Sequence, residues 1–525
     1  MPNTPAVDEA PSDALVVSLQ RLLESSRGRP VQRVETHISW ILLDGEHAWK
    51  IKKPVRFGFL DFSRLDLRHH YCEEELRLNR RLAPSLYLDV VPVRGSVAAP
   101  RLGDDGKGSV IEYALRMKQF AAGSLFSEQV AAGRLEPGSV DRLATRLAGF
   151  QAAAPAAAAD SPFGNAEGIR RTTADVLQGI ESQAQAQRAA GLREWCDARA
   201  ASLAPCFEAR KADGWVREGH GDLHLANLVV LDDDVTAFDC VEFDPAMRWI
   251  DLQCDIAFIT MDLKAHGRRD LAFRFLDRWL ESSGDHAGLA VLRYYEVYRA
   301  LVRALVAGIR HAQGRRAGSA NEAESSRGPD YLRLAHGLAE EADPRLLIAH
   351  GLSGSGKSFA SAQLLEVAGA IRLRSDVERK RLFGLAALEA SSGRAADIYG
   401  EQATRRTYAS LRDRARVALQ AGYPVIIDAA FLRATERDDF RALAQELGVP
   451  FAILHCRADP AVLRERVSAR SERRDDASEA DSVVLEAQLA SHDALREGER
   501  ALAIEIDTAR PLDLASVARR WLASA

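Results

Sequence analysis

The residues Gly351-Leu352-Ser353-Gly354-Ser355-Gly356-Lys357-Ser358 follow the spacing G-x-x-x-x-G-K-S/T, that of a loop whose backbone N–H groups close on phosphate oxygens. The glycines let the main chain approach the anion, and the N-terminus of a following helix adds partial positive charge. Lys357 is suited to neutralising β- and γ-phosphate charge, and the Ser358 hydroxyl to holding Mg²⁺. Gly351, Ser353, Gly354, Ser355 and Gly356 complete the cradle. The motif needs a strand before it and a helix after it. Residues 345–350 form a short apolar run of strand type, and 359–365 read as helix.

A second set of residues points to phosphoryl transfer. Asp222 and Asn227 stand five apart in Gly219-His220-Gly221-Asp222-Leu223-His224-Leu225-Ala226-Asn227, and 235–239 reads as a short strand ending in Asp239. Transfer to a hydroxyl needs an acid beside the incoming oxygen, here Asp222. It also needs an amide oxygen and a carboxylate on Mg²⁺, here Asn227 and Asp239. Upstream, His47-Ala48-Trp49-Lys50 puts a small residue two before a lysine on an expected strand, as in V-A-I-K. Glu75 falls on the apolar stripe of an expected helix over 67–82 (Leu67, Tyr71, Leu78, Leu82). A buried carboxylate wants a partner, and Lys50 is the candidate; the alternative places Glu75 at the surface like Glu73 and Glu74. No glycine-rich loop precedes Lys50. Residues 35–39 stand there, leaving backbone amides and Ser39 to meet phosphate. One of Asp251 and Asp255 is expected to brace the Asp222 loop. His220 is read as a further brace, and His224 as packing or substrate-facing.

Beyond the phosphate loop, strands are expected at 346–350, 370–374, 425–428, 451–456 and 503–506, with helices between them and one helix starting at Asp459-Pro460. Such alternation means a parallel sheet with helices on both faces and a site at the carboxyl ends of the strands. Asp376 and Asp428 are placed there. Asp376 is assigned as general base for an acceptor hydroxyl, with Arg379 holding an anionic group, and Asp428 as Mg²⁺ ligand. Arg466, Arg470 and Arg473 share a face of an Arg-rich helix, and Arg466 and Arg470 are assigned to charge on the transferring group. The alternative is a solvated charged helix.

The remaining elements frame these sites. Residues 1–13 read as a loose tail and 14–23 as helix. Strands over 31–53 turn at Asp44-Gly45, and a further strand lies within 108–120. The stretch 152–160 reads as a flexible surface loop, and the segments 314–319 and 325–329 as a mobile joint. A helix over 330–341 is stopped by Asp343-Pro344. The division is 1–30 tail and helix, 31–311 first domain, 312–342 linker and helix, 343–525 second domain. The net charge of -5 argues against bulk nucleic-acid binding. Six cysteines without a C-x-x-C pair, and no basic-then-apolar leader, fit a reducing cytoplasmic setting. No apolar run long enough for a membrane span is found.

The H-G-D-L-H-x-x-N pattern at 219–227, followed by a strand ending in acid, resembles the aminoglycoside phosphotransferase family over about residues 30–310. Residues 351–358, Ser375-Asp376, Ile427-Asp428 and the Arg-rich segment resemble P-loop small kinases related to the polynucleotide kinase and zeta-toxin group. Together they look like a fusion of an aminoglycoside phosphotransferase-like domain with a P-loop ATP-binding, AAA-type kinase domain. The resemblance implies an α+β kinase-like two-lobed domain followed by an α/β P-loop kinase domain. It also implies ATP and Mg²⁺ as cofactors and phosphoryl transfer at two sites to a hydroxyl of a small-molecule or nucleotide-like acceptor. One alternative makes the P-loop domain the only enzyme and residues 1–340 a ligand-binding or regulatory module. Another is a nucleic-acid 5′-hydroxyl kinase, which the acidic balance disfavours.

Overall fold

The computed structural model describes residues 13–57, 60–104, 106–232, 234–316, 328–391, 398–473 and 476–523. Residues 1–12 of the expected tail (1–13) and 317–327, the centre of the expected joint, lie outside them, while Asp13 begins a helix. Two compact units are present. One is drawn from residues within 1–142, 153–164 and 214–255, the other from 143–152, 165–213 and 256–525.

The first unit is built on an antiparallel sheet of β1 (Gln32–Glu35), β2 (Ser39–Leu43), β3 (His47–Lys52), β6 (Tyr87–Gly95), β7 (Pro100–Leu102) and β8 (Val110–Lys118), in the order β1-β2-β3-β8-β6-β7. A small separate pair, β4 (Arg56–Phe57) and β5 (Leu60–Asp61), lies after β3. The turn at Asp44-Gly45 fixes the register of β2 on β3. Asp44 Oδ1 accepts the N–H groups of Glu46 (2.9 Å) and His47 (2.7 Å), its Oδ2 accepts Trp49 Nε1 (3.0 Å), and Gly45 takes φ 85°. Because strand side chains alternate, Trp49 and Ile51 enter the core formed with Leu15, Val16, Leu19 and Leu23 of the helix Asp13–Arg27. Lys50 and Lys52 are thereby turned to the other face.

The helix Leu65–Asn79 ends three residues before the expected 82. There the Asn79 side chain donates to Glu75 O (2.9 Å) and accepts Cys240 N–H (3.0 Å). The stretch 152–160 corrects the expectation of a flexible loop. Residues 152 and 153 end the helix Pro137–Ala153, and the chain then pairs with β9 (Val216–Glu218) through Ala157 N–H to Val216 O (2.8 Å) and Glu218 N–H to Pro155 O (3.0 Å). Next come β10 (Leu228–Leu231), β11 (Asp234–Ala237) and β12 (Trp249–Asp251), with β10 paired to β11 and β12 to β9. β11 stops at Ala237, so Asp239 does not end a strand as expected. It stands two residues beyond, at φ 64°.

The second unit combines helices with a parallel sheet. Its helices include Ala166–Ile180, Leu192–Ala212, Arg269–Ser283, Leu289–Arg316 and Tyr331–Glu340, the last capped by Asp330 Oδ1 on Arg333 N–H (3.1 Å). The sheet contains β13 (Leu346–His350), β14 (Ile371–Arg374), β15 (Val425–Asp428), β16 (Phe451–Arg457) and β17 (Ala503–Asp507), in the order β14-β15-β13-β16-β17 with every pairing parallel. β13 is buried along its whole length, as a strand covered on both faces must be. The helices Lys357–Ala368 and Leu514–Leu522 pack together, as do Glu401–Gln420 and Ala434–Leu447.

Candidate active sites

In the first unit, the face of β3 opposite the core carries a row of alternating charges. Lys50 Nζ donates to Glu75 Oε1 (2.7 Å) and to Asp239 Oδ1 (2.6 Å). Lys52 Nζ donates to Glu75 Oε2 (2.7 Å) and to Glu242 Oε1 (2.5 Å). Glu75 is fully buried, so the surface alternative for it does not hold. Burial opposes the charge on Lys50, but Asp239 and then Glu75 more than offset it and hold the ammonium well above its usual range. Burial likewise opposes ionisation of Glu75, and the two lysines reverse that, lowering its pKa. At Glu242 burial wins and pushes the carboxyl up despite Lys52. Sequence reasoning missed Lys52 and Glu242. The available signal was that Lys52 shares the face of Lys50.

The loop after β9 is held rigidly. Asp255 accepts His220 N–H on Oδ2 and Gly221 N–H on Oδ1, both at 2.8 Å. Asp255 is therefore the brace, while Asp251 Oδ1 takes Gln253 N–H (2.9 Å). His220 Nδ1 accepts Asp222 N–H (3.3 Å), which leaves Nε2–H to donate to Phe238 O (3.0 Å). Burial lowers the pKa of this imidazole. Asn227 Nδ2 donates to Asp222 Oδ2 and to Asp222 O, both at 3.0 Å, so its amide oxygen faces away from Asp222. Phe238 N–H bonds Asn227 O (3.0 Å) and Asp239 N–H bonds the Tyr87 hydroxyl (3.1 Å), setting Asp239 beside Asn227. His224 Nε2 lies 3.4 Å from Asp222 Oδ2. Ser39 is placed otherwise than expected. Its hydroxyl is fully buried without a hydrogen-bond partner among the described residues, and its N–H is used by Thr36 Oγ1 (2.9 Å). Contact between Ser39 and a phosphate therefore requires the 36–38 turn to open.

Exchange of Asp255 for asparagine turns an amide N–H toward a backbone N–H and removes the charge. It should destabilise the protein by about 2–4 kcal/mol. A thermal melt checks this, and an unchanged midpoint would show that the brace contributes nothing.

In the second unit, β13 delivers the chain into the phosphate loop and the helix Lys357–Ala368 leaves it. Gly354 has φ 79°, and a Cβ there would lie 2.8 Å from Leu463 O. The position thus demands glycine for both conformation and space. Lys357 Nζ donates to Gly351 O (2.8 Å) and Leu352 O (2.9 Å). Ser353 N–H donates to Gln488 Oε1 (2.8 Å), and the Ser355 hydroxyl is buried without a hydrogen-bond partner among the described residues. Burial lowers the pKa of Lys357, against Asp428 and Asp376.

A cavity of ≈ 790 Å³ opens over the loop, lined by Lys357, Ser358, Asp376, Arg379, Asp428, Arg466 and Arg470 together with Tyr399 and Tyr408. Its size is that of a small-molecule site. Asp428 ends β15, and its Oδ1 accepts the Ser358 hydroxyl (3.2 Å). Its Oδ2 is buried without a hydrogen-bond partner among the described residues, an arrangement that fits Mg²⁺ or a metal-bound water. Among the described residues, no three or more His, Cys, Asp or Glu side chains cluster as a metal cage. Mg²⁺ held by one or two protein oxygens plus phosphates does not need one. Asp376 lies in the first turn of the helix Ser375–Leu382, not at the end of β14, which stops at Arg374. Arg379 donates to Ile398 O (2.8 Å) and Thr404 Oγ1 (3.2 Å). Arg466 donates to Thr508 O (2.8 Å) and Oγ1 (2.9 Å), and Arg470 to Ala480 O (2.7 Å). Arg464 instead pairs outward with Glu486 (2.6 Å). The Arg473 side chain lies outside the described residues.

His350 ends β13 immediately before the loop, with Nδ1 2.8 Å from His455 Nδ1. Burial, then His455 and Arg437, push its pKa down to about 3. The unfolded chain protonates this ring near its ordinary value of 6.5. Its contribution to stability is therefore complete above pH 6.5 and is lost as pH falls toward 3. The wild-type melting temperature should drop more steeply between pH 7 and pH 5 than that of His350→Asn. Parallel slopes would remove His350 as the cause.

Residues 55–301 match the phosphotransferase enzyme family, and residues 346–495 match a family described as an AAA domain. The chain carries a phosphotransferase-family domain followed by an AAA-type P-loop domain. The first is a domain of a phosphotransferase enzyme family, so the chain is an enzyme of that class, with the fold class expected from its sequence. It is similar to an uncharacterised protein of Mycobacterium tuberculosis (strain ATCC 25618 / H37Rv), at 28% identity over 482 residues, 91% of this chain and 92% of that one. Among solved structures it is similar to a choline/ethanolamine kinase family protein from Mesorhizobium loti (13% identity, 62% of this chain and 95% of that chain, TM-score 0.36). It is also similar to a gluconokinase from Sinorhizobium meliloti 1021 (22% identity, 35% and 91%, TM-score 0.25). No described helix is long and apolar enough to cross a membrane.

Proposed function

We propose that the chain is a bifunctional ATP-dependent phosphotransferase with two Mg–ATP sites, one in a domain spanning 31–311 and one in a domain spanning 343–525. Each passes the γ-phosphoryl group to a hydroxyl of a small-molecule or nucleotide-like acceptor. The observation that carries this reading is that both sets of residues are assembled within bonding reach. Lys50 bonds Glu75 and Asp239 beside the Asp222–Asn227 pair, and Ser358 bonds Asp428 at the foot of the phosphate loop. Mg²⁺, when bound, would supply positive charge to the phosphate oxygens, held by Asn227 and Asp239 at one site and by Ser358 and Asp428 at the other. Lys50 and Lys357 bind phosphate. Asp222 and Asp376 each orient an acceptor hydroxyl and take its proton as the oxygen bonds to phosphorus and ADP leaves. Arg466 and Arg470 face the transferring charge, and Arg379 an anionic part of the acceptor. Six free thiols support a reducing, cytoplasmic setting.

The test is transfer of label from γ-labelled ATP to fractionated metabolites by the full chain, with a 5′-hydroxyl oligonucleotide as a separate arm. Two labelled products, one requiring Asp222 and the other Asp376, support the reading. A full chain that labels no small molecule overturns it. One observation favours a second reading, in which only the P-loop domain is an enzyme and the first domain binds a regulatory ligand. The turn at 36–38 contains no glycine, and the Thr36 N–H and Ser39 N–H are consumed within it.

A further inference from the structure

Two arginines beside the P-loop site have no role in the chemistry above. Arg372 and Arg374 project from β14, and both reach the helix Arg269–Ser283, which lies within the phosphotransferase-family match. Arg372 grips Asp277 with two nitrogens, Nε to Oδ1 at 3.2 Å and Nη2 to Oδ2 at 2.7 Å, and touches Glu281 at 3.2 Å. Its Nη1 donates to Ser358 O (3.4 Å). Arg374 stands opposite Asp428 in the β14–β15 ladder and divides itself between Asp476 (3.0 Å) and Glu281 (3.4 Å). Arg278 also meets Glu281 (3.0 Å). Both guanidiniums stop short of Asp428 Oδ2, at 3.6 Å for Arg374 and 3.9 Å for Arg372. An arginine with no other acceptor closes on a neighbouring carboxylate, because the bidentate pair is the strong geometry.

We propose that Asp277 and Glu281 are positioning residues of the P-loop site, holding Arg372 and Arg374 off Asp428 so that its Oδ2 stays open to Mg²⁺. This rests on the reading of Ser358 and Asp428 as the Mg²⁺ side of that site. A helix of the phosphotransferase-family domain thereby sets the metal affinity of the P-loop domain. When Glu281 loses its charge, Arg374 keeps only Asp476 on Nη2, and its Nε, 3.6 Å from Asp428 Oδ2, closes on that oxygen and competes with the metal.

The test uses the full chain with ADP and titrates Mg²⁺ by calorimetry. Glu281→Gln should weaken Mg²⁺ binding about tenfold or more, the usual cost of removing an outer-shell partner, with ADP affinity in EDTA unchanged. The double variant Glu281→Gln with Arg374→Gln should regain wild-type metal affinity, because the competitor is gone. A purely structural role for Glu281 would lower the melting temperature without this rescue. Equal Mg²⁺ affinity in wild type and a folded Glu281→Gln overturns the proposal, as does a double variant as weak as the single. If Glu281→Gln does not fold, Arg374→Gln alone decides: metal affinity at or above wild type supports competition, and weaker affinity overturns it. Absence of Lys357-dependent ADP binding in the wild type instead overturns the P-loop reading itself.

Discussion

Replacing Lys357 by alanine should lower ATP turnover at the P-loop site by about 10²–10³-fold, the usual cost of one preorganised charge donor at a transferring group. The ammonium is half-buried at the mouth of the loop and already reaches two loop carbonyls, Gly351 O and Leu352 O. It needs only a small turn to exchange these for phosphate oxygens. The glycine conformations that shape the loop do not depend on the side chain, so the variant should stay folded. Turnover is read from γ-labelled ATP with a metabolite-extract acceptor pool. Wild-type rates in Lys357→Ala would remove the assignment of this loop as a catalytic phosphate site.

Asp222→Asn should remove about 10²–10⁴-fold of the transfer catalysed by the phosphotransferase-family domain, the range for a lost general base. The asparagine oxygen can still accept the Asn227 amide, which sits 3.0 Å from Asp222 Oδ2. The loop therefore keeps its shape while the proton acceptor is lost. The informative set is wild type, both single variants and the double. If each single change removes part of the turnover and the double removes all of it, two kinases work in one chain. If Lys357→Ala alone abolishes turnover and Asp222→Asn changes nothing, the first domain is a sensor.

The fold of the P-loop half is largely legible in the sequence, because its signals are local. A strand, a glycine loop and a helix follow one another within residues 346–368, and the acid at Asp428 ends its own strand. The pairing of Lys50 with Glu75 was also accessible, since a carboxylate on an apolar helix stripe calls for a cation. Distant partners were not. The stretch 152–160 is alanine-rich and looked loose because the strand it pairs with, β9, lies some sixty residues away in sequence. Asp251 and Asp255 share one short segment, and only the fold shows which of them faces the His220 and Gly221 amides. The hold of Asp277 and Glu281 on β14 leaves no mark in composition or spacing. Lys52 carries no mark of its own, because the V-A-I-K arrangement asks for one lysine and Lys50 fills it.

The charges around β3 run Asp239, Lys50, Glu75, Lys52, Glu242, beginning and ending with an acid. A row with an odd number of alternating members cannot cancel itself, so fully ionised it carries one surplus negative charge. Glu242 sits at the closed end, where burial disfavours that charge. Asp239, at the other end, has a side chain 41% exposed, so its own charge, shared with Lys50 through one oxygen, stands where a cation can meet it. Parity is thus a property of the whole row. Losing Glu242 alone makes the count even and the ionised row neutral, which weakens its pull on a cation at Asp239. Losing Lys52 and Glu242 together restores an odd count of three.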